Sequence, residues 1–253
     1  MILFSNIIRV GCLFLGLITL SCQTQYQVKN HNSQSIAIAA TDTPQVLDQA
    51  VIKLITPFKE QLDGQMNARI MVASADLVKE NPEGSLGNMV CDVMMRFAKL
   101  QGKVPDVCVF NAGGLRIPTV YKGDITIRTI FELLPFDNQL VMVKVNGAQL
   151  KDLLDLVAAN GGWPVAGLQM KIAQKQAVNV IVNQNILDEK AQYWVLTSDY
   201  LADGGDNAAM LKTASERYTF NYLLRDALIM QLKSMFYDGE TLQALKDGRI
   251  TKE

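Results

Sequence analysis

The residues best placed to do chemistry stand in the stretch from Cys108 to Asn138. A short apolar run there gives way to Gly113 and Gly114, and Arg116 follows two positions later. Glycine has no Cβ, so the backbone can turn sharply or approach a ligand at this pair, and a guanidinium beside it suits phosphate oxygens. Phe136 adds a flat ring after a rigid proline. The residues alone leave open an ordinary turn, a solvated arginine and a core phenylalanine.

A second stretch of similar character runs from Asp199 to Asp206 and reads DYLADGGD. It joins an aromatic residue, Tyr200, to another glycine pair, Gly204 and Gly205. Aspartate and glycine are frequent in turns, so this stretch predicts a turn that follows a strand. Two of its carboxylates could bind a cation, although a turn is the simpler interpretation.

The composition is that of a globular protein and argues against a nucleic-acid partner. The 253-residue chain is 49% hydrophobic and 19% charged, which allows one large domain with a buried core. Its 24 lysines and arginines nearly balance its 25 aspartates and glutamates, and no basic stripe stands out. A polyanionic partner is therefore not expected.

The first 22 residues have the character of an export signal. The segment from Val10 to Leu20 is almost wholly apolar but too short to span a bilayer, and Cys22 follows Ser21. This ending resembles the lipobox of bacterial lipoproteins, in which the cysteine becomes an acylated N-terminus; a plain signal peptide is the alternative. We therefore expect an exported lipoprotein, anchored through Cys22 on the periplasmic or cell-surface side of a membrane.

The rest of the chain divides into a linker and one domain. Residues 23–43 are polar and aperiodic, which predicts a flexible linker, and residues 44–253 are expected to form the domain. Its first helix is expected to be capped by Asp42 or Thr43 and to kink or end at Pro57.

Apolar periodicity predicts helices and strands that mix without a strict β-α-β repeat. Further helices are expected after Ser85 as N-cap, from Leu150 to Val157 and from Asn221 to Phe236; strands are expected at 69–75, 140–145, 165–172, 178–183 and 193–197; and the polar tail to Glu253 is expected to be peripheral. This order predicts an α/β or α+β domain built in layers.

Two cysteines fall inside the predicted domain. Cys91 belongs to a helical apolar pattern and Cys108 to a strand-like run, which favours two buried free thiols. A disulfide between them is the alternative in an exported protein.

Five motifs occur in order along this chain. They are Glu83–Asn88 (E-x-x-[ML]-G-N), Asn111–Arg116 (N-x-G-G-[IL]-R), Gly123–Thr126 (G-[DT]-I-T), Leu134–Phe136 (L-P-F) and Tyr200–Asp206 (aromatic-L-A-x-G-G-D). In these the chain resembles the C-terminal, substrate-binding domain of the 5'-nucleotidase family over about residues 67–236. The resemblance implies a layered α/β/β/α fold.

The resemblance also implies a site for the nucleoside part of a nucleotide. Phe136 and Tyr200 would form two walls around the base, and Asn111 would contact the bound nucleoside. Arg116 would lie near the ribose and phosphate, and Asp206 would accept hydrogen bonds from the ribose hydroxyls. Lys79 stands near where some members have another arginine. The implied site residues are Asn111, Gly113, Gly114, Arg116, Phe136, Tyr200, Gly204, Gly205 and Asp206.

Phosphate-ester hydrolysis in this family belongs to a metallophosphatase domain that holds two metal ions through Asp, His and Asn ligands. This sequence has one histidine, His31, and no D-x-H, G-N-H-[DE] or G-H motif. We therefore assign no catalytic residue, metal ligand or cofactor to this chain. A nucleoside or nucleoside monophosphate is the expected ligand, and an exported metallophosphatase chain, with its divalent metals, the expected partner. The alternative is a lipoprotein that binds nucleosides or proteins without catalysis.

Overall fold

The computed structural model describes residues 49–253. The predicted signal peptide at 1–22, the predicted linker at 23–43 and the expected helix cap at Asp42 or Thr43 lie outside the described residues.

The described residues contain six α-helices and thirteen strands. In chain order these are α1 (Gln49–Met66), β1 (Arg69–Ala73), β2 (Leu77–Val78), α2 (Ser85–Leu100), β3 (Val107–Val109), β4 (Thr119–Val120), β5 (Gly123–Thr126), α3 (Ile127–Leu133), β6 (Gln139–Asn146), α4 (Gly147–Ala159), β7 (Val165–Ala166), β8 (Leu168–Ala173), β9 (Gln176–Val182), β10 (Asn185–Ile186), β11 (Gln192–Ser198), α5 (Asp199–Ala202), β12 (Glu216–Leu223), α6 (Leu224–Tyr237) and β13 (Ile250–Lys252).

A five-stranded sheet in the order β12-β6-β11-β3-β7 forms the centre of the fold. Strand β11 runs parallel to β3 and antiparallel to β6, and β12 runs antiparallel to β6 on its other side. A second sheet has the order β10-β9-β8-β13, and the pairs β1-β5 and β2-β4 form two small sheets.

Alternating side chains of the central sheet feed two separate hydrophobic cores. On β6, Leu140 and Met142 pack in the core that contains the buried faces of α2 and α6. Val141 and Val143 belong instead to the core shared with α4, β8 and β9. A strand buried on both faces reads as the continuous apolar run seen here. The central sheet thus packs against α2 and α6 on one face and against α4 and the second sheet on the other, which confirms the predicted mixed α/β fold.

Three predicted elements have different bounds in the structure. The strand expected at 165–172 divides into β7 and β8 at Gly167, whose φ is +79° and whose missing Cβ would lie 2.2 Å from the Asp106 carbonyl oxygen. The strand expected at 69–75 stops at Ala73. The helix expected from Asn221 begins at Leu224, because the aromatic-rich residues before it form β12 and pair with β6.

The end of α1 and the start of α2 also differ from the predictions. Helix α1 runs through Pro57 to Met66, so it does not end at the proline, although Pro57 removes one backbone donor from it. Ser85 is the first residue of α2 rather than its N-cap, which is Gly84. The Ser85 hydroxyl is committed elsewhere, because its oxygen accepts a hydrogen bond from the Val78 amide at 2.9 Å.

The C-terminal segment is part of the fold, which corrects the expectation of a peripheral tail. Strand β13 pairs parallel with β8, placing Ile250 beside Met170. The buried side chain of Arg249 donates to Asp92 at 2.8 and 3.0 Å and to Asp247 at 2.8 and 2.9 Å. These bonds join the end of the chain to α2.

Glu83 joins the same segment to the start of α2. Its carboxylate is buried and accepts three hydrogen bonds: from Asn88 Nδ2 at 2.6 Å, from the Asp247 amide at 2.8 Å and from the Gly248 amide at 3.0 Å. The first and last residues of the E-x-x-[ML]-G-N motif therefore contact each other and hold the C-terminal segment in place.

Cys91 and Cys108 are both free and buried, as predicted. Burial raises the pKa of the Cys108 thiol well above its usual value, and the neighbouring Cys91 thiol adds to this effect. Within residues 49–253, no helix has both the length and the hydropathy needed to cross a bilayer.

Candidate functional site

The sheet topology brings three loops to one edge of the central sheet. Strands β3 and β11 are parallel neighbours, so the loops after Val109 and Ser198 leave the sheet at the same end. Strand β6 is antiparallel to β11 and pairs Leu140 with Ser198, so the loop that enters β6 lies at this end too. Segments that are far apart in sequence are thereby placed around one cleft.

The cleft has a volume of about 300 Å³. Its lining residues are Asn111, Gly113, Gly114, Arg116, Phe136, Asn138, Tyr200 and Asp206. Seven of the nine predicted site residues therefore meet in one place. The other two, Gly204 and Gly205, line an adjoining open depression that shares Tyr200 and Asn138 with the cleft.

Asn138 lines the cleft but was not among the predicted site residues. The signal that could have found it is its position in the same short loop as Phe136, two residues further on. Its backbone oxygen accepts a hydrogen bond from the Leu224 amide at 2.8 Å, which fixes the end of that loop. Its side chain can both donate and accept hydrogen bonds.

The two aromatic residues of the cleft are not core residues. Phe136 is 45% exposed and Tyr200 is 43% exposed, and neither belongs to the two hydrophobic cores. Ring area that stays in water is available to stack on a planar ligand, which favours the binding role over the alternative of a core aromatic.

Asp206 connects two of the loops through hydrogen bonds. Its Oδ2 accepts from Asn111 Nδ2 at 2.6 Å, and its Oδ1 accepts from the Tyr200 hydroxyl at 2.8 Å. The bond to this carboxylate raises the pKa of Tyr200, because it favours the protonated hydroxyl. Each carboxylate oxygen keeps a lone pair for a further donor, such as a sugar hydroxyl.

The turn before Asp206 depends on its glycines. Gly204 has a φ of +89°, a region that glycine enters without strain. A Cβ on Gly205 would lie 2.5 Å from two ring carbons of Tyr200, so only glycine allows this approach. Asp206 itself has a φ of 49°, which for a non-glycine residue is a mildly strained conformation.

Arg116 supplies the positive charge of the cleft. Its guanidinium lies 5.6 Å from the centre of the Phe136 ring, and its Nη1 makes one long hydrogen bond, 3.4 Å, to the Gly113 carbonyl oxygen. Most of its donors therefore stay free for an anionic ligand. The Lys79 ammonium donates to the Leu115 carbonyl oxygen at 2.9 Å, and burial, followed by the charge of Arg116, lowers its pKa.

The acidic residues of the second stretch do not form a joint cation site. Asp203 pairs with Arg217, whereas Asp206 bonds to Tyr200 and Asn111. No cluster of three or more His, Cys, Asp or Glu side chains suited to a metal ion occurs within residues 49–253. The residues present do not fit the two-metal site of a metallophosphatase, since the sequence has a single histidine.

Comparison with known proteins accounts for this arrangement. The family model described as "5'-nucleotidase, C-terminal domain" matches residues 64–213, more than half of the chain. The chain belongs to the 5'-nucleotidase family. The match begins within three residues of the start expected from the motifs and ends before α6.

Individual relatives agree with this family assignment. A 5'-nucleotidase from Vibrio parahaemolyticus is 28% identical over 176 residues, which cover 66% of this chain and 30% of that protein. A probable 5'-nucleotidase from Treponema pallidum is 26% identical over 238 residues, or 80% of this chain and 40% of that protein. The chain thus spans about a third of the length of the relatives it matches.

A solved structure shows the same fold. The crystal structure of a 5'-nucleotidase precursor from Thermus thermophilus superposes with a TM-score of 0.69 at 26% identity. The match covers 79% of this chain and 42% of the other, which is consistent with one domain of a larger enzyme.

Proposed function

We propose that this chain binds the nucleoside part of a nucleotide in the cleft at the edge of the central sheet. The observation that carries the proposal is the pair of half-exposed rings, Phe136 and Tyr200, which line one cleft together with a cation and a carboxylate. A purine or pyrimidine base has two flat faces that such rings can cover. Stacking of this kind is worth about 1–3 kcal/mol per base.

The polar groups of the cleft suit the remaining parts of the ligand. Asp206 is the acceptor for the ribose hydroxyls, because its carboxylate is held in place by Asn111 and the Tyr200 hydroxyl and retains free lone pairs. Arg116 is the partner for a phosphate, because most of its donors are not used within the cleft. A nucleoside monophosphate satisfies all three kinds of group at once.

Binding of the nucleoside is tested by calorimetric titration of adenosine and then AMP into the full chain, with Phe136→Ala as the comparison. We expect saturable binding to the unaltered chain and a loss of about 1–3 kcal/mol of binding free energy in the variant. Ile186→Ala is the control, because Ile186 is an exposed apolar residue on β10, outside the cleft lining. Equal affinities for Phe136→Ala and the unaltered chain would remove the stacking role.

We further propose that this chain works with a separate exported metallophosphatase that hydrolyses the phosphate ester. The chain supplies substrate contacts, and its residues do not provide the ligands for the metal ions that activate water in this reaction. The expected result is no AMP hydrolysis by the purified chain with added divalent metals, and hydrolysis when an exported metallophosphatase is added. Full hydrolysis by the chain alone would refute the division of labour.

The proposed anchor is lipid at Cys22, and it predicts a specific chemical change. Cells that express the chain should incorporate labelled palmitate into it, and Cys22→Ser should abolish incorporation and release the protein from membranes. A plain signal peptide predicts no label on either form.

A non-catalytic lipoprotein that binds nucleosides alone is the second candidate. Two observations favour it: the cleft offers groups that can bind a nucleoside, and the sequence has only one histidine with which to build a metal site. The two proposals differ in one result: adenosine binding with no gain in hydrolysis on addition of a metallophosphatase supports the second.

A further inference from the structure

The loop that carries Phe136 has a second attachment to the fold. Strand β12 ends where Leu223 pairs with Gln139, the first residue of β6, so α6 starts beside the loop from Leu134 to Asn138. The second residue of this helix is Arg225. No sequence motif pointed to it.

Arg225 directs its donors at that loop. Its Nη1 lies 3.4 Å from the carbonyl oxygens of both Leu134 and Phe136, and its Nη2 donates to Asp137 Oδ1 at 2.7 Å. The guanidinium also stacks over the Phe131 ring, 4.3 Å from its centre. The Arg225 side chain thus makes three polar contacts with the loop and one contact with an aromatic ring.

This placement is costly for a charged group. Arg225 is 8% exposed, and its Nε has no hydrogen-bond partner in the part of the chain that the structure describes. The Nε atom lies 3.9 Å from Oδ1 of Asp226, which is a long ion pair. Removing an arginine from water costs free energy that its contacts must offset, so a buried charge of this kind is weak evidence for a stabilising role.

The position of the Phe136 ring depends on its backbone as well as on its neighbours. The residue is 45% exposed, the ring lies 5.6 Å from the Arg116 guanidinium, and it borders Leu115 and Leu224 in a small adjoining pocket. The backbone oxygen of Phe136 is one of the atoms that Arg225 contacts. By holding the Phe136 backbone, Arg225 therefore also restrains the position of the Phe136 ring in the cleft.

We propose that Arg225 is a positioning residue that fixes the Leu134–Asn138 loop so that Phe136 faces the base. This role rests on the proposed nucleoside site and adds a determinant that lies outside the cleft lining. Arg225 acts through Phe136 and need not touch the ligand.

The test uses the full chain and calorimetric titration with adenosine. Asp137→Asn removes the charged partner of Arg225 at a side chain that is 78% exposed, so the variant should still fold. Arg225→Lys keeps the charge but cannot reach Asp137 and two carbonyl oxygens at once. We expect both variants to bind adenosine about tenfold more weakly, because a displaced Phe136 ring loses part of the stacking on the base.

The readout that separates positioning from general support is a double-mutant cycle with Phe136→Leu. If Arg225 acts through the Phe136 ring, Asp137→Asn and Arg225→Lys should weaken adenosine binding much less in the Phe136→Leu background. Arg69→Lys is the matched control, because Arg69 also combines an aromatic ring, Phe236 at 5.2 Å, with a carboxylate, Asp124 at 3.4 Å. It should leave adenosine affinity unchanged.

The outcomes distinguish this role from the proposed function. Adenosine binding to the unaltered chain that neither Asp137→Asn nor Arg225→Lys weakens would overturn the positioning role alone. Weakening that is equally large in the Phe136→Leu background would also overturn it, since the effect would not pass through the ring. Absence of adenosine and AMP binding to the unaltered chain would overturn the proposed function, and the positioning role with it.

Discussion

Replacing Glu83 by glutamine should destabilise the domain although the side chain keeps its size. The Glu83 carboxylate accepts three hydrogen bonds, two at Oε1 and one at Oε2, and it is buried. An amide has one acceptor atom, so its NH₂ group must face one of the donors. In the better orientation the carbonyl oxygen keeps the bonds from Asn88 and the Asp247 amide, and the NH₂ group opposes the Gly248 amide.

The magnitude follows from what is lost. Leaving a buried donor without a partner costs about 1–3 kcal/mol, and the two remaining bonds lose the strength that a charged acceptor gives them. Relief from burying a charge offsets part of this loss. We therefore expect Glu83→Gln to lower the free energy of unfolding by about 2–3 kcal/mol, a substantial part of the stability of a typical domain.

Urea denaturation followed by circular dichroism measures this change. Glu80→Gln is the control, because Glu80 pairs with Lys246 at 2.7 Å on the surface, where both side chains are about half exposed. Such exposed pairs contribute about 0–1 kcal/mol. A free energy of unfolding that falls by no more in Glu83→Gln than in Glu80→Gln would refute the reasoning about the buried carboxylate.

Two further predictions concern the cleft. The pKa of Tyr200 is raised by its bond to Asp206, so the bond contributes stability below the ordinary tyrosine value of about 10 and loses it as pH rises through the raised pKa. Thermal unfolding between about pH 7 and pH 11 should therefore show a steeper loss for the unaltered chain than for Tyr200→Phe, and parallel curves would contradict this. Gly205→Ala should displace the Tyr200 ring and weaken adenosine binding, whereas Gly64→Ala, where a Cβ meets open space, should not; titration of both variants decides it.

The residues of the candidate site were predicted from the sequence more completely than the contacts that hold the surrounding segments in place. Glycine pairs, a proline and an arginine are local signals that by themselves leave an ordinary turn open, and the resemblance of the ordered motifs to the 5'-nucleotidase family indicated the residues that line the cleft around Asn111 and Tyr200. Strand β6 was also predicted to within one residue at each end, because its apolar residues have the spacing of a strand. Asn138 was not predicted as a site residue, because a single asparagine in a loop forms no sequence pattern of its own.

The features that sequence reasoning missed depend on contacts between distant residues. Glu83 and the Asp247 amide are joined by a hydrogen bond across 164 positions, and no local pattern shows that the polar tail is held there. Arg225 lies in an ordinary amphipathic helix, and its role appears only when the loop beside it is seen. The end of β7 at Gly167 likewise reflects the approach of another segment, the backbone at Asp106.

All eight residues that line the cleft stand outside both hydrophobic cores. The side chains of the proposed nucleoside site are therefore largely distinct from those that form the two cores of the described residues. Evolution, or a designer, can exchange Phe136, Asn138 or Tyr200 for other side chains without repacking the sheet. Under the proposed function, preference among planar ligands would thus change through substitutions at one edge of the central sheet.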